Sequence, residues 1–252
     1  MSLSFREDRQ VWRQFFDYCE RGQNPAFWAE PLNAISNAAF IIAALLALMS
    51  WQRYRHDLAG VPRQSRSELA LVALVAVIGA GSFLFHTYAT RWAKLADVIP
   101  ISVFMVVYLG YALRRFVGLG WVLTLAGLAA FCTSIQFAES FDCGGRACFN
   151  GSVGYLPALA AHALIGGWLS IAGHPAARWV LGSAAIFAVS LTLRTLDRSI
   201  CPHTALFAGR MLGTHFIWHM CNATLLYLLL MAAIRHGEAA RAPEQNWVNL
   251  KT

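Results

Sequence analysis

Seven long apolar stretches alternate with short polar segments along the chain. They cover roughly residues 31–51, 68–88, 95–113, 118–138, 153–173, 177–196 and 211–234. Each has about the 20 residues that a helix needs to cross a bilayer. Backbone groups in hydrocarbon must bond within their own segment, which favours helices, whereas a membrane barrel would show shorter alternating segments. The pattern therefore predicts an all-α membrane protein, a seven-transmembrane helix bundle.

The polar ends divide the chain into three predicted regions. Residues 1–30 form a polar, interfacial segment, residues 31–234 form the seven-helix catalytic domain, and residues 235–252 form a polar tail. Only 13% of the residues are charged, whereas a soluble domain has about a quarter. Residues 1–23 are polar and charged, so they do not match a signal peptide. Composition thus supports an integral, multi-pass membrane protein.

The net charge of +7 comes almost entirely from arginine and is spread over loops and tails. This distribution indicates contacts with lipid headgroups and does not favour nucleic-acid binding. The 20 Arg and Lys residues divide equally between the two sides, so they predict no orientation. Four loop cysteines fall on the N-terminal side: Cys19, Cys143, Cys148 and Cys201. They favour an oxidising, non-cytoplasmic compartment for the N-terminus and the site, although their pairing is not deducible.

Five polar side chains are predicted at one depth of the membrane. Ser82 and His86 are four residues apart near the end of the second span, and His215 and His219 repeat that spacing at the start of the seventh. Asp97 is expected in the first turn of the third span, which begins on the same side. Residues four apart share one helix face. Ionisable groups inside a membrane are costly, so the five residues predict a functional site.

The chemistry of this set indicates a metal-dependent hydrolase. Three imidazoles with one open position are typical of catalytic zinc. Asp97 is then the expected general base, which takes a proton from water and passes it to a leaving amine. Ser82 is expected to donate a hydrogen bond to the developing oxyanion. The predicted reaction is hydrolysis of an amide or ester in a lipid.

Each residue also has a simpler interpretation. A histidine pair at this spacing is also found as a haem ligand or as a hydrogen-bonded pair. Ser82 can bond to its own helix backbone, and Asp97 can stabilise the N-terminus of its helix. A retinal protein is excluded, because residues 211–234 contain no lysine for a Schiff base. It is the combination of the five residues that favours the hydrolase.

The order and spacing of these motifs resemble the alkaline ceramidases, within the seven-helix hydrolase superfamily that includes the adiponectin receptors. The resemblance spans residues 17–234. It is carried by Ser82-x-x-x-His86, Asp97 and His215-x-x-x-His219, by the flanking segments at residues 79–86 and 218–222, and by the acidic segments at residues 17–20 and 30–37. It implies zinc bound by the three histidines, Ser82 and Asp97 as the catalytic pair, and cleavage of ceramide to a sphingoid base and a fatty acid.

The resemblance also implies a calcium site in the N-terminal segment. Its ligands would be Asp17, Tyr18 through its carbonyl, Glu20, Asn24 and Glu30, oxygen donors of the kind that calcium prefers. Tyr18 stands where the family usually has tryptophan, and the family's asparagine is Gly22 here, so Asn24 would need a different loop. Alternatively, Asp17 and Glu20 cap a short helix and pair with Arg21 or Arg13.

The expected partners are therefore a lipid substrate and the membrane, and no protein partner is inferred. Two alternatives stay open: a hydrolase of another N-acyl lipid, and a non-enzymatic seven-helix receptor or scaffold with a vestigial zinc site. The catalytic set does not predict which acyl chain or sphingoid base is preferred.

Overall fold

A computed structural model describes residues 11–57, 66–144, 148–206 and 209–237. The predicted tail lies outside these ranges from residue 238 onward, as do residues 1–10. The helices are α1 Pro31–Ser36, α2 Ala38–Asp57, α3 Arg66–Tyr88, α4 Arg91–Arg115, α5 Trp121–Glu139, α6 Leu156–Ile171, α7 Ala177–Leu196 and α8 His215–His236. Strands β1 (Ala205–Leu206) and β2 (Arg210–Met211) form a short antiparallel ribbon.

The helices confirm the all-α, seven-span architecture. Seven helical segments in the described residues are long and apolar enough to cross a membrane. The predicted first span is divided at Asn37 into α1 and α2. Its start agrees with Pro31, which is favourable at the first helical position because proline has no N–H to leave unpaired there.

Two predicted helix starts were wrong by four residues, and both lie next to site residues. α4 begins at Arg91 rather than 95, which places Asp97 in the second turn instead of the first. α8 begins at His215 rather than 211, because residues 210 and 211 belong to β2. Gly213 has a positive φ of 64° just before α8, where a side chain would collide with Asp197. Apolar composition extended across this turn, so hydropathy alone missed it.

α8 is the central helix of the bundle. It packs against α1, α2, α3 and α7, and most of its side chains are buried. α5 and α6 are the least buried spans and carry large exposed apolar side chains such as Val122, Leu164 and Ile171. Such an exposed apolar belt is expected of helices that face lipid. The buried residues of α8 therefore occupy the core, and its first turns contain both predicted histidines.

The N-terminal segment lies across the end of the bundle that contains these first turns. Phe15 donates a backbone hydrogen bond to the carbonyl of Ala89, in the connection between α3 and α4. A disulfide joins Cys19 to Cys201, in the connection between α7 and α8. A second disulfide joins Cys143 to Cys148 within a single connection. The structure thus selects one pairing of the four loop cysteines and fastens the segment beside α8.

Candidate metal centre

Three histidines from α3 and α8 meet in the core. Their ring centroids are 5.1 Å apart for His86 and His215, 4.7 Å for His86 and His219, and 4.6 Å for His215 and His219. Each side chain contributes a ring nitrogen to a group whose members all lie within 4.8 Å of one another. All three residues are at most 1% exposed. The structure therefore forms a group that can hold one metal ion.

Glu30 orients the ring of His86. Its Oε2 lies 2.6 Å from Nδ1 of His86 and also accepts a hydrogen bond from the side-chain amide of Asn33. Burial alone would raise the pKa of Glu30, but His86, Asn33 and Arg21 hold it below its usual value. An ionised carboxylate only accepts hydrogen bonds, so Nδ1 of His86 is the donor. In the neutral imidazole, the lone pair of His86 is then on Nε2.

Ser36 orients His219 in the same way. The hydroxyl of Ser36 donates to the carbonyl of Asn33 at 2.9 Å, and its oxygen lies 2.8 Å from Nδ1 of His219. Because the single hydroxyl hydrogen is already used, Nδ1 of His219 donates to Oγ. The lone pair of His219 is then also on Nε2. Metal-binding histidines typically have their second nitrogen fixed by such a donor contact.

His215 is fixed by stacking and by its position as the first residue of α8. Tyr18 stacks on its ring at 3.8 Å and Trp218 stacks at 5.0 Å. Asp197 accepts hydrogen bonds from the backbone N–H groups of Thr214 and His215 at 2.7 and 3.0 Å. A carboxylate at a helix N-terminus satisfies amides that have no partner within the helix. Asp197 therefore determines where α8, and with it His215, begins.

The unpaired atoms of the three histidines fit a metal ion. Among the described residues, no hydrogen-bond partner contacts Nε2 of His86, Nε2 of His219 or Nδ1 of His215, and all three atoms are buried. A buried polar atom without a partner is costly. The two tautomers fixed by Glu30 and Ser36 leave lone pairs, not protons, on the unpaired nitrogens. The three-histidine group therefore fits a metal with imidazole ligands.

Ser82 and Asp97 lie beside this group, both in buried positions. The hydroxyl of Ser82 is within hydrogen-bonding reach of the carboxyl of Asp97. Oδ1 of Asp97 is buried and has no hydrogen-bond partner among the described residues. A carboxylate oxygen left in this state is available to a water molecule or a substrate. Ser82, His86 and Asp97 thus lie close together, as a shared depth would require.

A close contact between α3 and α4 accounts for the position of Ser82 beside Asp97. A Cβ added at Gly81 would lie 2.0 Å from the carbonyl oxygen of Ala96. Only glycine permits that separation of the two backbones. Gly81 and Ala96 immediately precede Ser82 and Asp97 in the sequence, so the contact places these two polar side chains next to each other.

Arg194 was not predicted from the sequence, although it lies close to the site. Its Nη1 donates to the carbonyl of Asn150 at 2.7 Å and to the hydroxyl of Ser152 at 3.2 Å. Its guanidinium also lies 5.3 Å from the ring centroid of Tyr155 and within hydrogen-bonding reach of Tyr18. An arginine in the last turn of a membrane helix usually faces headgroups. Its half-buried position among aromatic rings was therefore not evident from the sequence.

The five residues expected to bind calcium have other partners. Asp17 is partly exposed and pairs with Lys94 at 3.1 Å, and the carbonyl of Tyr18 accepts a hydrogen bond from the N–H of Gly22 at 3.3 Å. Each carboxylate oxygen of Glu20 accepts a hydrogen bond of 2.8 Å from a backbone N–H group at the start of α1. The side-chain oxygen of Asn24 accepts a hydrogen bond from the N–H of Ala26, while the carboxylate of Glu30 binds Arg21 and His86.

These side chains do not fit a calcium ion. Within the described ranges, Asp17, Glu20 and Glu30 do not form a group close enough to share a metal. The alternative in which Glu20 caps a short helix matches the structure, and that helix is α1. The partner of Asp17 is Lys94, however, and Arg21 pairs with Glu30.

An apolar cavity between the helices adjoins the metal centre. Its walls include Phe40 and Trp218, whose rings are also next to His219 and His215. Phe104, Phe131 and other aliphatic and aromatic side chains line most of the remainder, together with Asn222. His162 is also in the wall, and its Nδ1 lies 2.6 Å from the carbonyl of Ala158 in its own helix. An apolar space of this kind suits a hydrocarbon chain.

The fold and the site define an integral membrane protein with seven helices and a buried three-histidine group that can bind a metal ion. More specifically, the chain belongs to the ceramidase family, because the sequence model of that family matches residues 15–251. The resemblance inferred from the motifs is thereby confirmed. Membership implies a hydrolase that acts on amides and takes a lipid substrate at the membrane. A comparison with curated proteins gave no significant match.

Proposed function

We propose that the protein is a zinc-dependent membrane amidase that hydrolyses the N-acyl amide bond of ceramide to a sphingoid base and a free fatty acid. The observation that carries this proposal is the set of three unpaired imidazole nitrogens beside the unpaired carboxylate oxygen of Asp97. Three imidazoles with room for a further ligand suit a catalytic zinc ion. Family membership supplies the substrate class.

His86, His215 and His219 would hold the zinc ion. When bound, zinc polarises an amide carbonyl and makes water more acidic. Glu30 and Ser36 accept a hydrogen bond from the outer nitrogen of their histidines, so that the inner nitrogen of each neutral ring presents its lone pair to the metal. This arrangement prepares the site for the metal ion and limits its reorganisation.

Asp97 and Ser82 would act on the substrate. Oδ1 of Asp97 accepts a proton from the attacking water and later delivers a proton to the nitrogen of the leaving sphingoid base. The hydroxyl of Ser82 donates a hydrogen bond to the oxyanion that forms when water adds to the amide carbon. Both groups are buried, so bulk water does not weaken these interactions.

The apolar cavity would hold a hydrocarbon chain of the substrate. Phe40 and Trp218 form a wall that the cavity shares with the histidines. A chain in the cavity therefore places the adjoining amide at the metal centre. The reacting group would be next to Tyr18 and the N-terminal segment, on the side where the disulfides lie. Disulfides persist in oxidising compartments, so we assign this side to the non-cytoplasmic face.

The decisive test combines metal analysis with lipid hydrolysis by the detergent-purified protein. We expect about one zinc per chain and fatty-acid release from ceramides in a panel that also contains other N-acyl lipids. Cleavage confined to another N-acyl lipid would identify a related amidase. Bound zinc without hydrolysis of any lipid in the panel would favour the receptor or scaffold.

Two substitutions separate metal binding from proton transfer. His215→Ala should remove zinc and activity together, and activity in a zinc-free variant would contradict the mechanism. Asp97→Asn should retain zinc but lower turnover by about 10²–10⁴-fold, the usual contribution of a general base. Near-normal turnover in that variant would show that another group takes the proton.

A further inference from the structure

The guanidinium of Arg21 is enclosed by oxygen atoms at the centre of the N-terminal segment. Arg21 is 2% exposed. Its acceptors are the carbonyls of Asn24, Ala26, His86 and Thr87, at 2.9 to 3.2 Å, and the carboxylate of Glu30. An arginine side chain has five N–H donors. All five are used, and the pair with Glu30 balances the positive charge.

These acceptors belong to three parts of the chain. Asn24 and Ala26 lie in the N-terminal segment, Glu30 immediately precedes α1, and the carbonyls of His86 and Thr87 belong to the last turn of α3. The last carbonyls of a helix have no partner within it and attract positive charge. Arg21 therefore crosslinks the segment to the helix that contains a metal-binding histidine, and it contacts Glu30, which orients that histidine.

The same oxygen atoms would suit a calcium ion if the guanidinium were absent. Four carbonyls and one carboxylate are hard donors of the kind that calcium binds. A second cation at this point would be repelled by the positive charge of Arg21. It would also have to compete for the oxygen atoms that Arg21 already binds. The other expected ligands are also engaged, Asp17 by Lys94 and Glu20 by backbone amides.

We propose that the guanidinium of Arg21 takes the place of the expected calcium ion, so that the N-terminal segment packs onto the metal centre without calcium. The cation is then covalently part of the chain. Assembly of the segment around Arg21 does not depend on which lipid is hydrolysed.

The first test uses the unaltered protein. After purification without added calcium, elemental analysis should find no stoichiometric calcium. Addition of millimolar CaCl2 should move the melting temperature by less than about 1 °C, because a ligand that does not bind the folded state cannot stabilise it. About one calcium per chain, or a rise of several degrees, would overturn the proposal.

The second test removes the guanidinium. Arg21→Ala should lower the melting temperature by roughly 10 °C, as expected when one member of a buried ion pair is lost. Millimolar guanidinium or calcium ions should restore part of that loss by occupying the vacated oxygen cage. Arg198→Ala is the matched control, because it removes the same charge from an exposed position and should respond to neither ion.

Two results would contradict this assignment. Equal melting temperatures for Arg21→Ala and Arg198→Ala would show that the buried guanidinium has no structural role. Failure of both ions to stabilise Arg21→Ala would show that its surroundings are not a cation site. These readouts are independent of catalysis, so the inference can fail while the proposed hydrolase activity stands.

Discussion

At the scale of single residues, the contacts around the histidines matter as much as the histidines themselves. Glu30 and His86 are 56 positions apart, and Ser36 and His219 are 183 positions apart. Both contacts use the outer ring nitrogen and fix which nitrogen retains its lone pair. Glu30 was expected to bind calcium, whereas the structure places its carboxylate on a histidine of the candidate metal centre.

Replacing Glu30 by glutamine should weaken metal binding. The variant loses the carboxylate on Nδ1 of His86 and leaves the charge of Arg21 without its partner. Loss of such a supporting contact typically lowers metal affinity by about 10–100-fold. Zinc retained by the purified protein should be measured against increasing chelator concentration. The control is Glu20→Gln, because Glu20 accepts hydrogen bonds from backbone amides and not from a histidine. Equal zinc loss in the two variants would refute the role of Glu30 in orienting His86 for the metal.

At the scale of elements, the site depends on how closely α3 approaches α4. Hydropathy predicted both helices, and the interval of four residues correctly placed Ser82 and His86 on one face. It did not predict that Gly81 would contact the backbone of Ala96. That contact sets the separation between Ser82 and Asp97, which lie on different helices.

Gly81→Ala should therefore reduce both stability and activity. The new methyl group would lie 2.0 Å from the carbonyl oxygen of Ala96, so the helices must separate. Forcing extra volume into a tight contact costs about 1–3 kcal/mol, which corresponds to a fall of roughly 2–12 °C in melting temperature for a chain of this size. Thermal unfolding and lipid hydrolysis should be measured together.

Gly167→Ala is the matched control, because a methyl group there meets no atom within 4 Å. It should leave lipid hydrolysis unchanged and should not lower the melting temperature, because alanine is at least as favourable as glycine within a helix. Full activity in Gly81→Ala would mean that the separation of α3 and α4 does not determine the site.

At the scale of the whole molecule, the N-terminal segment is held against the bundle by several independent connections. Arg21 joins it to α3, and the disulfide from Cys19 joins it to the connection before α8. Asp197 joins the same regions, since it accepts hydrogen bonds from the backbone N–H groups of Cys19 and of His215 at the start of α8. The segment thereby holds Tyr18 over the ring of His215.

Removing the disulfide that connects these regions should destabilise the metal centre. The double substitution Cys19→Ser and Cys201→Ser opens a bridge between residues 182 positions apart. A loss of about 2–4 kcal/mol is typical for such a bridge, and we also expect faster loss of zinc on heating. The control is Cys143→Ser with Cys148→Ser, which opens a bridge across five positions far from the histidines in sequence. Equal zinc retention in the two double variants would contradict a role for the segment in holding the site.

The sequence by itself determined the class of fold and much of the site. Segment length and apolar composition predict seven spans, since helices are the structures that satisfy their own backbone in hydrocarbon. Regular spacing then determines which side chains share a face, as with His215 and His219, and the order of the spans determines which helix ends meet at one side. Residues within a single helix are related by a fixed geometry, which is why these predictions succeeded.

The tertiary structure determined the contacts that residues of different elements make with one another. It paired Cys19 with Cys201, placed Glu30 on His86, and enclosed Arg21 in a cage of oxygen atoms. Such contacts depend on the packing of several helices and on turns such as the one at Gly213. Neither periodicity nor composition encodes them, because the same charged residue can face solvent, lipid headgroups or a buried partner according to how neighbouring elements pack.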